Sequence, residues 1–148
     1  MFYKCKHFKI EELVSPGVYK KYGEKAWEFF NPLILKDIDF LRELFKAPIT
    51  INNWCYGGNY KESGLRANKD EMVKGKSDYY LSAHCLGNAF DIKVKGFTPK
   101  QVFDTILKNQ DKLNITRIED IETTGKLGYV HIDISNINYD KGLYVFKP

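Results

Sequence analysis

Apolar and polar positions alternate with a helical period between Asn31 and Pro48. The apolar positions, three or four residues apart, are Ile34, Ile38, Leu41 and Phe45. The polar positions on the opposite side are Lys36, Asp39, Arg42, Glu43 and Lys46. This spacing predicts an amphipathic helix whose apolar stripe packs on the core. Asn31 before Pro32 is a typical helix start, and Pro48 marks the end of the segment.

Capping and turn signals predict further helices. Residues 8–16 form a short amphipathic stretch that should end before Pro16, and residues 24–30 are expected to form another short helix. Thr98-Pro99 together with Gln101 is typical of a capping box with proline at the first helical position. A helix is therefore predicted from there to about Leu113.

Five segments are predicted to form strands, because they are rich in β-branched and aromatic residues. They are residues 49–54, 88–94, 115–120, 129–134 and 143–147. The third and fourth are separated by a turn that contains Gly and Thr, which favours a hairpin. Residues 55–80, with four glycines, are predicted to form a long loop. A loop of this length is unusual in a compact domain unless it is functional.

The order of these elements predicts an α+β fold in a single domain over residues 1–148. In this fold, N-terminal helices pack on a small, mainly antiparallel sheet. The composition, with 43% hydrophobic and 28% charged residues, is typical of a globular domain. A chain of 148 residues is long enough to bury one core.

Charge and cysteine content exclude several classes of protein. The net charge is +4 and the chain has no run of five or six basic residues, which argues against nucleic-acid binding. Its three cysteines include no C-x-x-C pair, so neither a disulfide framework nor a zinc ribbon is indicated. No stretch approaches about 18 apolar residues, and the N-terminus lacks the apolar region of a signal peptide. We therefore expect no membrane span and synthesis in a cytosol.

Two of the three histidines lie close to aspartates. His84 precedes Asp91 by seven residues, and His131 and Asp133 share one face of an apolar strand. A buried carboxylate is costly unless it is paired or binds a metal. If the two strands are neighbours, His84, Asp91 and His131 form a three-ligand site for Zn²⁺ with the fourth position free for water. Spacing alone also fits a core histidine bonded to a carbonyl and an aspartate that caps a turn.

The motif Ser-x-His-x-x-Gly-x-Ala-x-Asp, present as SAHCLGNAFD at residues 82–91, resembles the signature of the M15 zinc peptidases. These are D-alanyl-D-alanine carboxypeptidases and phage endolysins of the LAS metallopeptidase group. YVHID at residues 129–133 is similar to the later His-x-Asp element of the family. ESGLR at residues 62–66 is similar to its Ser-Gly-x-Arg segment. The likeness covers most of the chain.

The resemblance implies roles for individual residues. His84, Asp91 and His131 would bind zinc, and Arg66 would hold the substrate peptide through its planar fork of donors. An ordinary surface salt bridge is the alternative for Arg66. Ser82 would face the substrate or orient a metal ligand, or it would only serve as a turn hydroxyl.

The general base departs from the family pattern. Many members carry Glu or Asp three residues before the second histidine, whereas this chain has Gly128 there. The base must then come from elsewhere. Glu119, on the partner strand of the predicted hairpin, is the first candidate, although it could instead only pair with Arg117 or a lysine. Asp133 is the second, as the base or as a residue that orients a ligand, and Glu122 in the turn is a weaker one.

These observations predict a zinc-dependent peptidase, either a carboxypeptidase or an endopeptidase, that hydrolyses amide bonds in peptidoglycan stem peptides or cross-links. The alternative is a non-catalytic zinc-containing module of a phage particle, structural or cell-wall-binding, and Gly128 motivates it. We expect a monomer whose partner is a peptidoglycan peptide and not a nucleic acid. We also expect synthesis in a bacterial host cytoplasm, followed by action at the cell wall or within a virion.

Overall fold

The computed structural model describes residues 2–135 and 142–148, in which helices pack on a five-stranded sheet. The helices are α1 (Pro16–Tyr22), α2 (Pro32–Phe45), α3 (Glu71–Lys74), α4 (Pro99–Lys108) and α5 (Ile121–Thr124). The strands are β1 (Ile49–Thr50), β2 (Ala89–Val94), β3 (Arg117–Glu119), β4 (Val130–Asp133) and β5 (Tyr144–Phe146). Short 3-10 turns occupy Ile10–Glu12, Gly23–Phe29, Trp54–Tyr56, Gln110–Lys112 and Gly125–Leu127. The predicted α+β class is confirmed.

The strands lie in the order β1-β2-β4-β3-β5. All neighbours are antiparallel except β3 and β5, which are parallel, so the sheet is mainly antiparallel as predicted. Asp91 on β2 lies opposite His131 on β4, and Asp133 on β4 lies opposite Arg117 on β3. Since directly opposite residues point to the same side of a sheet, this register gathers four polar side chains on one face.

The core joins the apolar stripe of α2 to the other face of the sheet. The predicted stripe residues are all buried, and they are Ile34, Ile38, Leu41 and Phe45. They belong to one cluster with the sheet residues Phe90, Ile92, Ile118, Val130 and Ile132. Burial of each such side chain contributes about 1.5–3 kcal/mol. The core therefore fixes which face of the sheet carries the polar groups.

The polar side of α2 differs from the prediction at Asp39, which is buried. Its carboxylate accepts hydrogen bonds from the backbone N–H groups of Lys6 and His7 and from the Tyr3 hydroxyl. A buried carboxylate is tolerated when donors satisfy it. Asp39 thus attaches the N-terminal segment to α2, and the buried Asp37 accepts hydrogen bonds from the segment before β3 in the same way.

Several predicted boundaries are wrong for local chemical reasons. Pro16 begins α1 instead of ending a helix, because the Ser15 hydroxyl caps the new helix. Of the strand predicted at residues 49–54, only Ile49–Thr50 pairs with a neighbour. α4 ends at Lys108, earlier than predicted, and a 3-10 turn follows it.

The starts of the two longest helices are confirmed. Asn31 Oδ1 accepts a hydrogen bond from Leu33 N at 3.0 Å, and Pro32 opens α2. Thr98 and Gln101 form the reciprocal capping box of α4. The predicted pairing of the third and fourth strand segments is present as β3–β4, but α5 and a 3-10 turn replace the simple turn.

The long loop predicted at residues 55–80 is interrupted by a 3-10 turn and by α3. It contributes several residues to the walls of two cavities on the polar face of the sheet. All three cysteines are free thiols. Within residues 2–135 and 142–148, no helix combines the length and the hydropathy needed to cross a bilayer.

Candidate metal centre

The turn before β2 brings His84 to the polar face of the sheet. The carbonyl of Ser82 accepts a hydrogen bond from Cys85 N at 3.0 Å, which closes the turn. Gly87 follows with φ +68°, and a Cβ at this position would overlap the carbonyl oxygen of Phe29. Glycine satisfies both conditions without strain. The N-terminal helical layer therefore fixes the path from His84 into β2.

The register of β2 and β4 brings Asp91 to His131. Asp91 Oδ1 lies 2.8 Å from His131 Nδ1 and 3.4 Å from His84 Nε2. All three side chains are buried, and one potential ligand atom from each lies within 4.8 Å of the others. Two imidazole nitrogens and a carboxylate oxygen in this arrangement could hold a metal ion. The predicted convergence of the three residues is confirmed.

Hydrogen bonds on the outer side of each imidazole determine which nitrogen faces Asp91. His84 Nδ1 lies 2.8 Å from the carbonyl oxygen of Gly64, which can only accept, so Nδ1 carries the hydrogen. His131 Nε2 lies 2.8 Å from Asp133 Oδ2 and donates to it for the same reason. Histidine ligands of metals commonly donate their other N–H in this way. The inner nitrogens, Nε2 and Nδ1 respectively, are thus left for a metal.

In the metal-free chain, Asp91 and His131 form an ion pair when the imidazole of His131 is protonated. Burial would lower the pKa of His131, but hydrogen bonds to Asp133 and Asp91 outweigh it and raise the pKa to about 9. Burial would also raise the pKa of Asp91, and the hydrogen bond from His131, together with the neighbouring His84, instead holds it well below its usual range. At neutral pH an ionised carboxylate therefore lies beside a protonated imidazole. A divalent cation would replace that proton.

Arg66 holds the second oxygen of Asp91. Its side chain is 10% exposed, and its Nη2 lies 3.2 Å from Asp91 Oδ2. Its Nε donates a hydrogen bond to the carbonyl of Glu62 at 2.7 Å. The pair is therefore largely shielded from solvent, unlike the surface salt bridge that was the alternative for Arg66. Because Arg66 engages Oδ2, Oδ1 remains available to the site of the two imidazoles.

Asp133 lies behind His131 and is fully buried. Arg117 donates to both of its carboxylate oxygens, with Nε 2.9 Å from Oδ1 and Nη2 2.9 Å from Oδ2. Burial would raise the pKa of Asp133, but the hydrogen bonds from His131 and Arg117 lower it. Both oxygens are engaged, so the geometry places Asp133 as a group that orients His131.

An open cavity of about 570 Å³, here called the metal-side cavity, lies over the three residues. Glu119 lines it from β3, two residues after Arg117 and on the same face. Burial raises the pKa of Glu119, although nearby His131 opposes this. Its carboxylate accepts no hydrogen bond from the described residues. A carboxyl group with a raised pKa in a cleft is suited to proton transfer.

The other candidate residues lie at the edge of the site. Ser82 lines the metal-side cavity, and its hydroxyl accepts a hydrogen bond from Cys85 N at 3.3 Å, as a turn hydroxyl does. Cys85, which lies next to His84 in sequence, is not among the three converging residues. Gly128 is exposed with φ +83°, so the place of the usual acid offers no side chain. Glu122 is exposed and does not line the cavity.

Two contributions to the site were missed from the sequence, and the first is the contact of Arg117 with Asp133, since Arg117 was considered only as a partner of Glu119. Arg117 lies two residues before Glu119, and this period of two was a usable signal for a shared face. The second is the backbone at Gly64, whose carbonyl orients His84 and where a Cβ would overlap the carbonyl of Leu13. No local pattern predicts this contact, because it depends on where the N-terminal segment packs.

Comparison of the chain with protein-family models, with curated proteins and with solved structures gave no match. Fold and site together define a class: an α+β protein with a buried His-Asp-His group that could hold a metal ion. A narrower function has to come from the chemistry that these side chains can perform.

Proposed function

We propose that the protein is a zinc-dependent peptidase that hydrolyses amide bonds in peptidoglycan stem peptides or cross-links. The observation that carries this proposal is the buried group of His84, Asp91 and His131 under an open cavity, with Glu119 in the cavity wall. Two imidazoles and a carboxylate are a known ligand set of catalytic zinc, with one position left for water. The M15-like motif at residues 82–91 supports the same interpretation.

The ligand atoms fit zinc because their orientation is set from outside the site. Gly64 and Asp133 accept the outer N–H groups of the two imidazoles. Arg66 engages one oxygen of Asp91 and leaves the other facing the imidazoles. Such supporting contacts commonly hold metal ligands in place before the ion binds.

Zinc bound at this site would supply Lewis acidity to the scissile carbonyl and lower the pKa of a water to about 7. In the proposed reaction, Glu119 accepts a proton from the attacking water, since its carboxyl group faces the cavity and has a raised pKa. The same carboxyl group then donates that proton to the leaving amine. Arg66, which also lines the metal-side cavity, positions the peptide. Asp133 keeps the imidazole of His131 in place.

The choice of a cell-wall substrate rests on the M15 resemblance and on general properties of the chain. A net charge of +4 favours approach to an anionic polymer. Tyr80, Tyr129 and Phe146 line the metal-side cavity and offer flat surfaces to a peptide or a sugar. We propose that the protein acts at the bacterial cell wall or as part of a phage particle, after synthesis in the host cytoplasm.

The proposal is tested by mass spectrometry of purified peptidoglycan incubated with the protein, with and without a chelator. We expect new amine and carboxyl ends at one type of peptide bond, their loss with chelator, and their return when zinc is added. His84→Ala should abolish the products. Unchanged products in the presence of chelator would rule out the metal-dependent mechanism, and cleavage of glycan bonds alone would rule out a peptidase.

A second candidate is a zinc-containing module without catalytic activity, which is favoured by Gly128 at the place of the usual acid. In that case the protein would contain zinc and bind peptidoglycan, yet release no fragments. A cell-wall peptidase that works under the same conditions serves as the positive control for the digest.

A further inference from the structure

A second cavity of about 430 Å³, here called the Lys93 cavity, adjoins the metal-side cavity. The residues that line both cavities are Arg66, Met72, Asp91 and Tyr129. Asp91 therefore lies at the junction between them. A substrate that crosses the metal centre can continue from the metal-side cavity, where Glu119 lies, into the Lys93 cavity.

Lys93 extends into this second cavity from the face of β2 that carries Asp91, because the two residues are separated by one position on the strand. Its side chain is half-buried between two aromatic rings. The ammonium nitrogen lies 4.0 Å from the ring centroid of Tyr60 and 6.0 Å from that of Tyr129. Within residues 2–135 and 142–148, no carboxylate lies within 4.0 Å of it.

The described residues around Lys93 compensate its positive charge only in part. An ammonium group that is removed from water is costly unless an anion or hydrogen-bond acceptors compensate it, and stacking on aromatic rings offsets only part of that cost. The two acids that line the cavity are engaged elsewhere. Glu62 Oε1 accepts a hydrogen bond from Met72 N at 2.9 Å, and Asp91 is paired with Arg66.

The remaining charged group in the wall is Lys61, which is exposed and adds positive charge. The Lys93 cavity thus presents cationic donors and two tyrosine rings, with no carboxylate free to neutralise Lys93 among the described residues. A ligand group that complements such a wall is an anion next to an apolar or flat moiety.

We propose that Lys93 binds a carboxylate of the peptide substrate, on the side of the metal centre opposite Glu119, and thereby selects acidic peptides. This inference rests on the proposed peptidase function, since it assigns one part of the same substrate. A stem peptide with lysine at its third position offers two such groups: its C-terminal carboxylate and the free carboxylate of its γ-linked D-glutamate. Lys93 is thus a specificity-determining residue, which acts by charge and position and takes no part in bond cleavage.

Three synthetic stem pentapeptides distinguish the two sources of the carboxylate. One has both carboxylates free, one is amidated at the C-terminus, and one carries D-isoglutamine in place of D-glutamate. Binding is measured by calorimetry on the chelator-treated chain, so that the peptides stay intact. We expect one of the two amides to bind about tenfold more weakly than the free acid, as for the loss of a charged hydrogen bond.

Lys93→Met should remove this discrimination, whereas Lys93→Arg, which keeps the charge, should retain most of it. Lys95→Met is the matched control, because Lys95 is exposed and does not line the cavity. Equal affinity of the wild-type chain for all three peptides, or discrimination that survives in Lys93→Met, would overturn the proposal.

Failure of the peptidase proposal gives a different result. The untreated chain would then hydrolyse none of the three peptides, while the chelator-treated chain would still distinguish the acid from the amide. Hydrolysis without discrimination would instead support the peptidase and reject the role of Lys93.

Discussion

Glu119 differs from Asp91 and Asp133 because no arginine holds its carboxylate. Asp91 and Asp133 are held by arginines, whereas Glu119 faces the metal-side cavity with a pKa raised by burial. We therefore expect Glu119→Gln to lower the rate of peptide hydrolysis by about 10²–10⁴-fold, the usual contribution of a general base. Zinc content and melting temperature should change little.

The matched control for this substitution is Glu122→Gln, which removes the same charge from an exposed position three residues away. Its rate should equal that of the wild-type chain. Full activity of Glu119→Gln in the digest would exclude Glu119 as the base. The rate would then have to be explained by another group in the cavity wall.

We expect His131 to make the metal affinity of the site depend on pH. The pKa of its imidazole is raised to about 9 by Asp133 and Asp91 against the effect of burial, so the metal-free chain holds a proton there at neutral pH. Zinc has to displace this proton, and its apparent affinity should rise about tenfold per pH unit up to about pH 9 and level off above it. Competition titrations with a chromophoric chelator from pH 6 to 9.5 measure the slope. A flat profile would contradict the assigned protonation.

The three converging residues could be predicted from the sequence, because a ten-residue motif and the period of two in one strand are local signals. For Asp133 the sequence left two roles open, as a base or as a residue that orients a ligand, and for Arg66 it did not predict the contact with Asp91. Asp133 is engaged because β3 places Arg117 opposite it, and this register is not encoded in the segment 129–134 alone. Arg66 is shielded from solvent because the loop before it contacts β2, where Asp91 N donates a hydrogen bond to the carbonyl of Ser63, and this is a tertiary effect.

At the scale of elements, β3 supports the metal centre through its pairing with β4. Arg117 on β3 donates hydrogen bonds to Asp133 on β4, and Asp133 in turn accepts a hydrogen bond from the imidazole of His131. We expect Asp133→Asn to weaken zinc binding about 10–100-fold, because the amide is a poorer acceptor for the outer N–H of His131. Equilibrium dialysis measures this. Asp111→Asn, an exposed position, is the control for loss of one charge.

The starts of α2 and α4 were predicted well, whereas the start of α1 and the strand lengths were not. Asn31-Pro32 and the Thr98 box encode their caps within three or four residues, so a local signal was sufficient. Residues 49–54 have the composition of a strand, yet only two of them have a partner in β2. Pairing depends on what lies beside a segment. Pro16 was assigned wrongly for a different reason, because Ser15 before it is a local helix-start signal that the prediction did not use.

At the scale of the whole molecule, metal binding and folding should be coupled, because the ligands come from the turn before β2, from β2 and from β4. An ion that binds only the folded chain stabilises it by about 2.7 kcal/mol at a free concentration 100-fold above Kd. For a chain of this size we expect zinc to raise the melting temperature by about 5–10 °C. Scanning calorimetry with zinc and with chelator measures this. Equal melting temperatures in the wild-type chain, or an equal zinc effect in His84→Ala, would contradict the assigned site.

The close approach of Gly64 to Leu13 and of Gly87 to Phe29 has a practical consequence for dissecting this protein. The peptide from residue 62 to residue 135 contains every proposed zinc ligand, together with Arg66 and Arg117. By its list of ligands alone it would be a minimal zinc-binding peptide. It lacks Leu13 and Phe29, whose backbone carbonyl groups lie against Gly64 and Gly87 respectively. Such a fragment should bind zinc poorly when alone, and the separately made segment of residues 1–61 should restore binding when the two pieces are mixed.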